Sequence, residues 1–378
     1  MLIAHSFYRL AGGEDRYVTD QVPLVGRRHT VELLSRRNAD LRGGLATAAR
    51  MTSSTRERHA VEEVIDRFAP DVIHLHNAYP SFGPAVHLAA RSRSVPLVMT
   101  VHNFRLRCPN GYMFTEGAPC RRCERGVYAH AVAHRCFPSR AQAATYAASL
   151  WVHRFVLRVE RSVDLFITPS EFLKRRLLDW GIGAERVEVV RNFTAIPLGA
   201  PDPGSYGMYL GRLSSEKGLD VLLRALAKAG DPPFHIVGDG PVGDALVELA
   251  RDLGLERTRF VGQVPADTVA SHLAGARWVT FASVWDENAP IAALEAMALG
   301  RPLLVTRTGG LPELVRNGEG LDCAPGDADG MAEAIGRLVD DEGLCAAAGA
   351  RARARAEAEF VPDHHLERLD AAYRKVVR

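Results

Sequence analysis

Short runs dominated by apolar residues alternate along the chain with longer helical ones, the rhythm of parallel strands with helices laid over them. In the first half the strand-sized runs are Leu2 to His5, Thr30 to Leu34, Val72 to His76, Pro96 to Val101 and Leu165 to Thr168, separated by helical stretches such as Ala60 to Phe68. The second half repeats the pattern at Tyr206 to Leu210, Phe234 to Val237, Arg259 to Val261, Trp278 to Phe281 and Pro302 to Thr306. Strand and helix in alternation predict parallel sheets, so the expected class is α/β, with two Rossmann-like, doubly wound units. A chain of 378 residues also exceeds the length at which one core usually stops growing. Pro197, Gly199, Pro201, Pro203 and Gly204 interrupt the periodicity. They place a linker at 195–207, between a first domain at 1–194 and a second at 208–362. Residues 363–378 predict a C-terminal helix following Pro362, free to pack back on the first domain.

Composition narrows this little: 47% hydrophobic and 24% charged residues are ordinary for a globular enzyme. The apolar runs are strand-sized or broken by charge, and Met1 leads into Leu-Ile-Ala-His without a signal-peptide pattern, so a reducing, cytoplasmic compartment is expected. Charge changes the picture more. The net charge is only +2, yet residues 1–200 carry 28 Lys and Arg against 18 Asp and Glu, which leaves the remainder acidic. A basic first half suits an anionic acceptor or peripheral contact with the acidic inner face of a membrane, and equally a plain solvated arginine face. No basic run is interleaved with a regular aromatic set, so nucleic acid is not an expected partner.

The richest stretch runs Trp285-Asp286-Glu287-Asn288-Ala289-Pro290-Ile291-Ala292-Ala293-Leu294-Glu295 and on to Gly300. Pro290 suits a first helical position and Gly300 a C-terminal cap, which puts Glu287 on the preceding loop and Glu295 inside an otherwise apolar helix. A carboxylate there is costly to bury alone, so Glu295 calls for an arginine, a backbone donor or ligand hydroxyls. Free amides at the helix start favour a phosphate. Upstream, Gly211-Arg212-Leu213-Ser214-Ser215-Glu216-Lys217-Gly218 follows the strand Tyr206 to Leu210. Alone, Arg212 and Lys217 would be solvated charges; after a strand and beside the Glu pair, they read as a fork and a point charge for a diphosphate.

These two segments resemble the retaining glycosyltransferases of the group 1 class, family 4-like, which have the GT-B fold of two Rossmann-like domains facing a cleft. The signature of that class, Glu, seven residues, Glu, is met by Glu287 and Glu295. The resemblance implies that Glu287 contacts the transferred sugar and Glu295 the nucleotide ribose, while amides from Asn288, Ala289, Ile291 and Ala292 hold sugar and diphosphate. One departure stands at Pro290, where many members have Gly and where no N–H is offered. Val237-Gly238-Asp239-Gly240-Pro241 and Phe260-Val261-Gly262-Gln263 match segments around the nucleotide base, giving Gln263 a donor-side role, and Thr308-Gly309-Gly310-Leu311-Pro312-Glu313 adds a further match. In the first half, Ala11-Gly12-Gly13-Glu14 forms a glycine turn that lets backbone approach donor phosphates. His102, at the end of the strand Pro96 to Val101, takes the place of a histidine that faces the transferred sugar.

The function so implied is transfer, with retention, from a UDP- or GDP-linked sugar to a small-molecule, lipid or glycan acceptor. Arg212, Lys217, Glu287 and His102 would carry the chemistry without a catalytic metal. Two rivals remain open: a sugar-nucleotide epimerase on the same fold, and a non-enzymatic binding module. Asp327-Ala328-Asp329 has the spacing of a metal-binding Asp-x-Asp, but Pro325-Gly326 before it makes helix capping the simpler reading.

Four of the six cysteines, Cys108, Cys120, Cys123 and Cys136, fall in an insertion at about 104–138. Cys120-Arg121-Arg122-Cys123 has zinc-ligand spacing, which makes the four cysteines candidate ligands of a structural zinc, with free thiols or an incidental cluster as the alternatives. Phe104-Arg105-Leu106-Arg107-Cys108-Pro109-Asn110-Gly111 resembles a subset of the same class that carries this insertion. Cys323 and Cys345 read as packing residues.

Overall fold

The computed structural model describes residues 1–9, 12–41, 44–199 and 204–377. Its strands are β1 (Leu2–Phe7), β2 (Glu32–Arg37), β3 (Ile73–Leu75), β4 (Leu97–Thr100), β5 (Phe114–Thr115), β6 (Ala118–Pro119), β7 (Leu165–Thr168), β8 (Val187–Val189), β9 (Tyr206–Leu210), β10 (Phe234–Val237), β11 (Thr258–Gly262), β12 (Ala276–Phe281), β13 (Leu303–Thr306) and β14 (Gly320–Cys323). They form two six-stranded sheets in the orders β2-β1-β3-β4-β7-β8 and β11-β10-β9-β12-β13-β14, with β5 and β6 as a separate hairpin. Every pairing described within the two large sheets is parallel.

The chain divides into two compact units: Met1–Glu116, Cys120–Val190 and Leu366–Arg378 make the first, Arg191–His365 with Gly117–Pro119 the second. The second therefore begins at Arg191, ahead of the expected linker at 195–207. Ile196 and Leu198 pack against its core, and Pro201 and Pro203 lie outside the described residues.

Side-chain alternation explains why β9 to β14 sit inside the second unit. Met208, Val279, Leu303 and Val305 enter the core on one face, with Ala293, Met297 and Phe360. Tyr209, Trp278 and Leu304 enter the other, with Leu222, Leu226 and Ile335. Both faces are covered, so both phases of the two-residue period are apolar, as in a strand buried on two sides. In the first unit, the closing helix Pro362–Tyr373 contributes Tyr373, whose hydroxyl meets His74 Nδ1 at 2.7 Å. Asp370 accepts from Arg28 at 2.9 Å and from His29 at 2.7 Å.

Candidate functional site

In the second unit β9 lies between β10 and β12, so the winding direction reverses between β9 and β12. At such a switch point the loops leaving the carboxyl ends of the two strands separate and open a crevice where ligands bind. Glycine holds these loops together. Gly218 ends the loop after β9 at φ 65°, and a Cβ there would sit 2.2 Å from the carbonyl oxygen of Ala282, just after β12. Gly309 follows β13 at φ 56°, and its Cβ would sit 2.0 Å from the Glu287 oxygen. Gly310 N–H donates to that same oxygen at 2.6 Å, and Val284 N–H to Glu216 O at 3.0 Å. Only residues without a Cβ allow the three loops to come this close.

The charged side chains are fixed by this backbone. Lys217 Nζ forms an ion pair with Glu287 Oε1 and stands 5.3 Å from the centroid of the Trp285 ring. Ser283 Oγ donates to Glu287 Oε1 at 2.8 Å. Arg212 Nη2 donates to Glu216 Oε1 at 2.8 Å, and Ser214 Oγ donates to the same atom at 2.6 Å. Burial pushes the Glu216 carboxyl up, but the Ser214 hydrogen bond and the Arg212 and Lys217 charges outweigh it and hold the group below its ordinary range. Glu216 thus stays ionised and keeps Arg212 aimed. The Arg212 side chain is 45% exposed and that of Lys217 18%.

Helix Ile291–Ala298 follows, and it starts one residue later than expected: Pro290 is its cap, with extended ψ of 127°, and Ile291 is its first residue. Proline's missing N–H costs nothing at either place. Glu295 is buried, 1% exposed, and Glu287 and Asn288 are buried too. The Ala289 carbonyl accepts from Asn192 Nδ2 at 3.0 Å, while Ile291 and Ala292 in the first turn are half-buried. Arg212, Lys217, Glu287, Asn288, Ala289, Ile291 and Ala292 therefore gather where β9 and β12 end. Gln263 is exposed after β11, at the edge of the sheet and two strands from β9. Asp327 caps helix Ala328–Asp340, accepting from Gly330 N–H at 2.9 Å, so the Asp-x-Asp spacing belongs to a helix start. Sequence reasoning missed Ser283 and gave Trp285, the first residue of the motif, no role; the signal was their place just after β12.

In the first unit, His102 follows β4 and is 3.0 Å, through Nε2, from His76 Nδ1, which follows β3. Burial, with smaller contributions from His5 and His74, pushes His102 down to about 3, so its ring is neutral at ordinary pH. His5 Nε2 pairs with Asp15 Oδ1 at 2.8 Å, and Asp15 also accepts from Tyr8 N–H at 3.2 Å. Gly12 caps helix Gly13–Val25; a Cβ on either Gly12 or Gly13 would meet nothing within 4 Å, and Ala11 lies outside the described residues.

Cys108, Cys120, Cys123 and Cys136 are free thiols that line one small cavity with His130 and His134. Cys108 Sγ is 2.9 Å from Asn110 Oδ1, and Cys136 Sγ is 3.6 Å from Thr115 Oγ1. No three His, Cys, Asp or Glu side chains among the described residues are placed to hold a metal ion. Cys323 and Cys345 are buried in the second unit's core.

Residues 11–195 match the profile of Glycosyltransferase Family 4, and residues 194–355 that of Glycosyl transferases group 1. The two halves of the chain thus match two glycosyltransferase domain models in turn, and the chain has the two Rossmann-like domains of the GT-B fold. Among the relatives of this GT-B chain is glycogen synthase of Mycobacterium tuberculosis, 30% identical over 285 residues, 72% of this chain and 61% of that protein. Another is D-inositol 3-phosphate glycosyltransferase of Mycolicibacterium paratuberculosis, 34% identical over 189 residues, 48% of this chain and 42% of that protein. The matched region thus spans less than two thirds of either relative. HepE of Anabaena, solved with UDP-glucose, superposes with a TM-score of 0.70 at 20% identity, over 99% of this chain and 100% of that one. Sucrose-phosphate synthase of Thermosynechococcus elongatus gives 0.71 at 18% identity, covering 99% and 98%. These solved structures share the GT-B fold with this chain.

Proposed function

We propose that this chain transfers a glycosyl group from a nucleoside diphosphate sugar to an acceptor, with retention at the anomeric carbon and without a catalytic metal. The observation that carries the reading is the pair of buffered cations at the switch point: Lys217 held by Glu287, and Arg212 held by the ionised Glu216. When the bond from the anomeric carbon to the diphosphate oxygen breaks, negative charge grows on the leaving group. Two positive side chains already fixed in place stabilise that charge with little reorganisation. The acceptor oxygen bonds to the anomeric carbon on the face the diphosphate leaves, and its proton passes to the departing phosphate. Glu287 contacts the sugar and Glu295 the ribose. The amides of Asn288, Ala289, Ile291 and Ala292 serve sugar and phosphates. His102, neutral, is the first unit's sugar contact, with Gly12 and Gly13 as an unobstructed turn for phosphate. HepE of Anabaena was solved in complex with UDP and with UDP-glucose, which favours a UDP-linked donor.

The test is thermal melting with UDP, GDP and their sugars in EDTA, since a bound donor raises the melting temperature by mass action. A rise with one nucleoside diphosphate is expected, followed by an unchanged anomeric configuration in the product's NMR spectrum. No rise with any of them at millimolar concentration overturns the reading.

A structural zinc among Cys108, Cys120, Cys123 and Cys136 is part of the same proposal, supported by their shared cavity. Ligation requires Cys108 and Cys136 to leave their hydrogen bonds to Asn110 and Thr115, and the thiols to give up their protons. One zinc per chain in protein purified without chelator is expected; none, with no melting shift on added zinc, refutes it.

A further inference from the structure

Helix Arg140–Trp151 runs on into one π-helical turn, Val152–Val156. Its inner face is fixed: Ser149 Oγ meets the Met51 carbonyl at 2.8 Å and His153 Nε2 meets it at 2.7 Å. Residues two positions on from these must face outward, and Trp151 and Phe155 are 50% and 43% exposed, with Val156 at 58%. The Trp151 and Phe155 ring centroids are 5.9 Å apart. The cysteine insertion extends this surface, because a Cβ on Gly126 would touch the Phe155 ring at 2.6 Å and the next residue, Val127, is 54% exposed. The exposed large apolar residues of the second unit, Val247 and Val261, stand on different elements.

The charge around this patch is one-sided. Between 104 and 161 there are ten arginines and three carboxylates. All three are engaged with arginines, Glu116 with Arg122, Glu124 with Arg176 and Glu160 with Arg107. Arg125, Arg135, Arg140 and Arg158 are exposed, and Arg154 lies 5.1 Å from the Phe155 ring centroid.

We propose that Val127, Trp151, Phe155 and Val156 seat this chain on an anionic lipid bilayer, with the exposed arginines against the headgroups. Tryptophan and phenylalanine beside arginine are the residue types that partition to the headgroup boundary, where an aromatic body enters the acyl edge and a cation meets lipid phosphate. A surface with almost no free carboxylate offers little to a protein partner of mixed charge, whereas an acidic leaflet matches it throughout. No helix among the described residues is long and apolar enough to cross a membrane, so the association is peripheral.

The experiment is co-sedimentation of the full chain with vesicles of phosphatidylcholine alone and of phosphatidylcholine with one third phosphatidylglycerol. Binding to the anionic vesicles, weakened by half-molar salt, and little to the neutral ones is expected. Trp151→Ser with Phe155→Ser should lower the bound fraction at least tenfold. Arg125→Glu should weaken binding by roughly fivefold or more, on the scale of one basic residue near an acidic surface. Val247→Ser is the control and should change nothing. Equal binding by wild type and the double variant overturns the proposal, as does no binding to anionic vesicles. So does a dimer in sedimentation equilibrium that the double variant abolishes, since the patch would then face a second copy. Melting curves confirm that each variant is folded, and no arm depends on glycosyl transfer.

Discussion

Lys217 and Glu287 form an ion pair across 70 positions of sequence, joining the loop after β9 to the loop after β12. The pairing keeps a lysine in place that would otherwise spread over many rotamers, and it leaves Lys217 more enclosed than Arg212. Both Lys217→Ala and Arg212→Ala should therefore lower turnover. The scale is that of losing one preorganised donor, about 3 kcal/mol or roughly 100-fold, with Lys217 the larger loss. Rates of nucleoside diphosphate release measured for the two variants check this, and unchanged rates in both refute the clamp.

Gly309→Ala tests whether backbone fit positions Glu287. The substitution puts a methyl group 2.0 Å from the Glu287 oxygen at a left-handed φ of 56°, so one of the two loops must move. A displacement near 1 Å at a reacting group costs roughly 100-fold, so kcat/KM should fall by about that factor. Gly254→Ala also stands at positive φ, 69°, but meets no neighbour within 4 Å, and should cost only stability. Steady-state kinetics beside melting curves separate the two effects.

Both sheets were legible because their inner strands are apolar on both faces, a pattern that Leu2 to Ala4 and Leu303 to Val305 show plainly. Strands β8 and β14 were not, since each is three or four residues long and carries a charge, Glu188 and Asp322, at the open edge of its sheet. The hairpin of β5 and β6 was invisible for a similar reason, with two residues in each strand. At the candidate site, Arg212, Lys217 and Glu287 could be read from spacing after strands. The carboxylate that holds Arg212 could not, because Glu216 looks like any surface residue until the turn Ser215–Lys217 folds it inward. The pairing of His76 with His102 depends on β3 and β4 being neighbours, a fact of sheet order that no local pattern carries.

Asp327 and Asp329 provide the test of metal independence. Asp327 caps a helix through Gly330 N–H, while Asp329 points to Lys228. Asp327→Ala should lower stability by about 1 kcal/mol, the usual cost of a lost cap, and leave turnover intact. Asp329→Asn should be nearly silent. Turnover should also persist in EDTA. A loss of donor binding in either variant, restored by added magnesium or manganese, would return these carboxylates to a metal role.

Buried histidines set the acid limit of the first unit. Burial lowers His102 and His87 to about 3 and His153 to about 4, against an ordinary value of 6.5. Below pH 6.5 the unfolded chain takes up protons at these rings while the folded chain does not, so acid favours unfolding. The stability contributed by their neutral forms is complete above about pH 6.5 and drains away as pH falls toward 4. Melting temperature should accordingly drop between pH 7 and pH 4.5, and more gently in His87→Gln, which removes one of the three groups. His87 stays clear of the proposed chemistry, meeting Ser162 Oγ at 3.1 Å, so the variant isolates the effect on folding. Because His102 stays neutral across the same window, its protonation should leave no inflection near pH 6.5 in the rate. An inflection there that disappears in His102→Gln would mean the ring titrates at its ordinary value, and that the polar surroundings of the site, rather than burial, govern it.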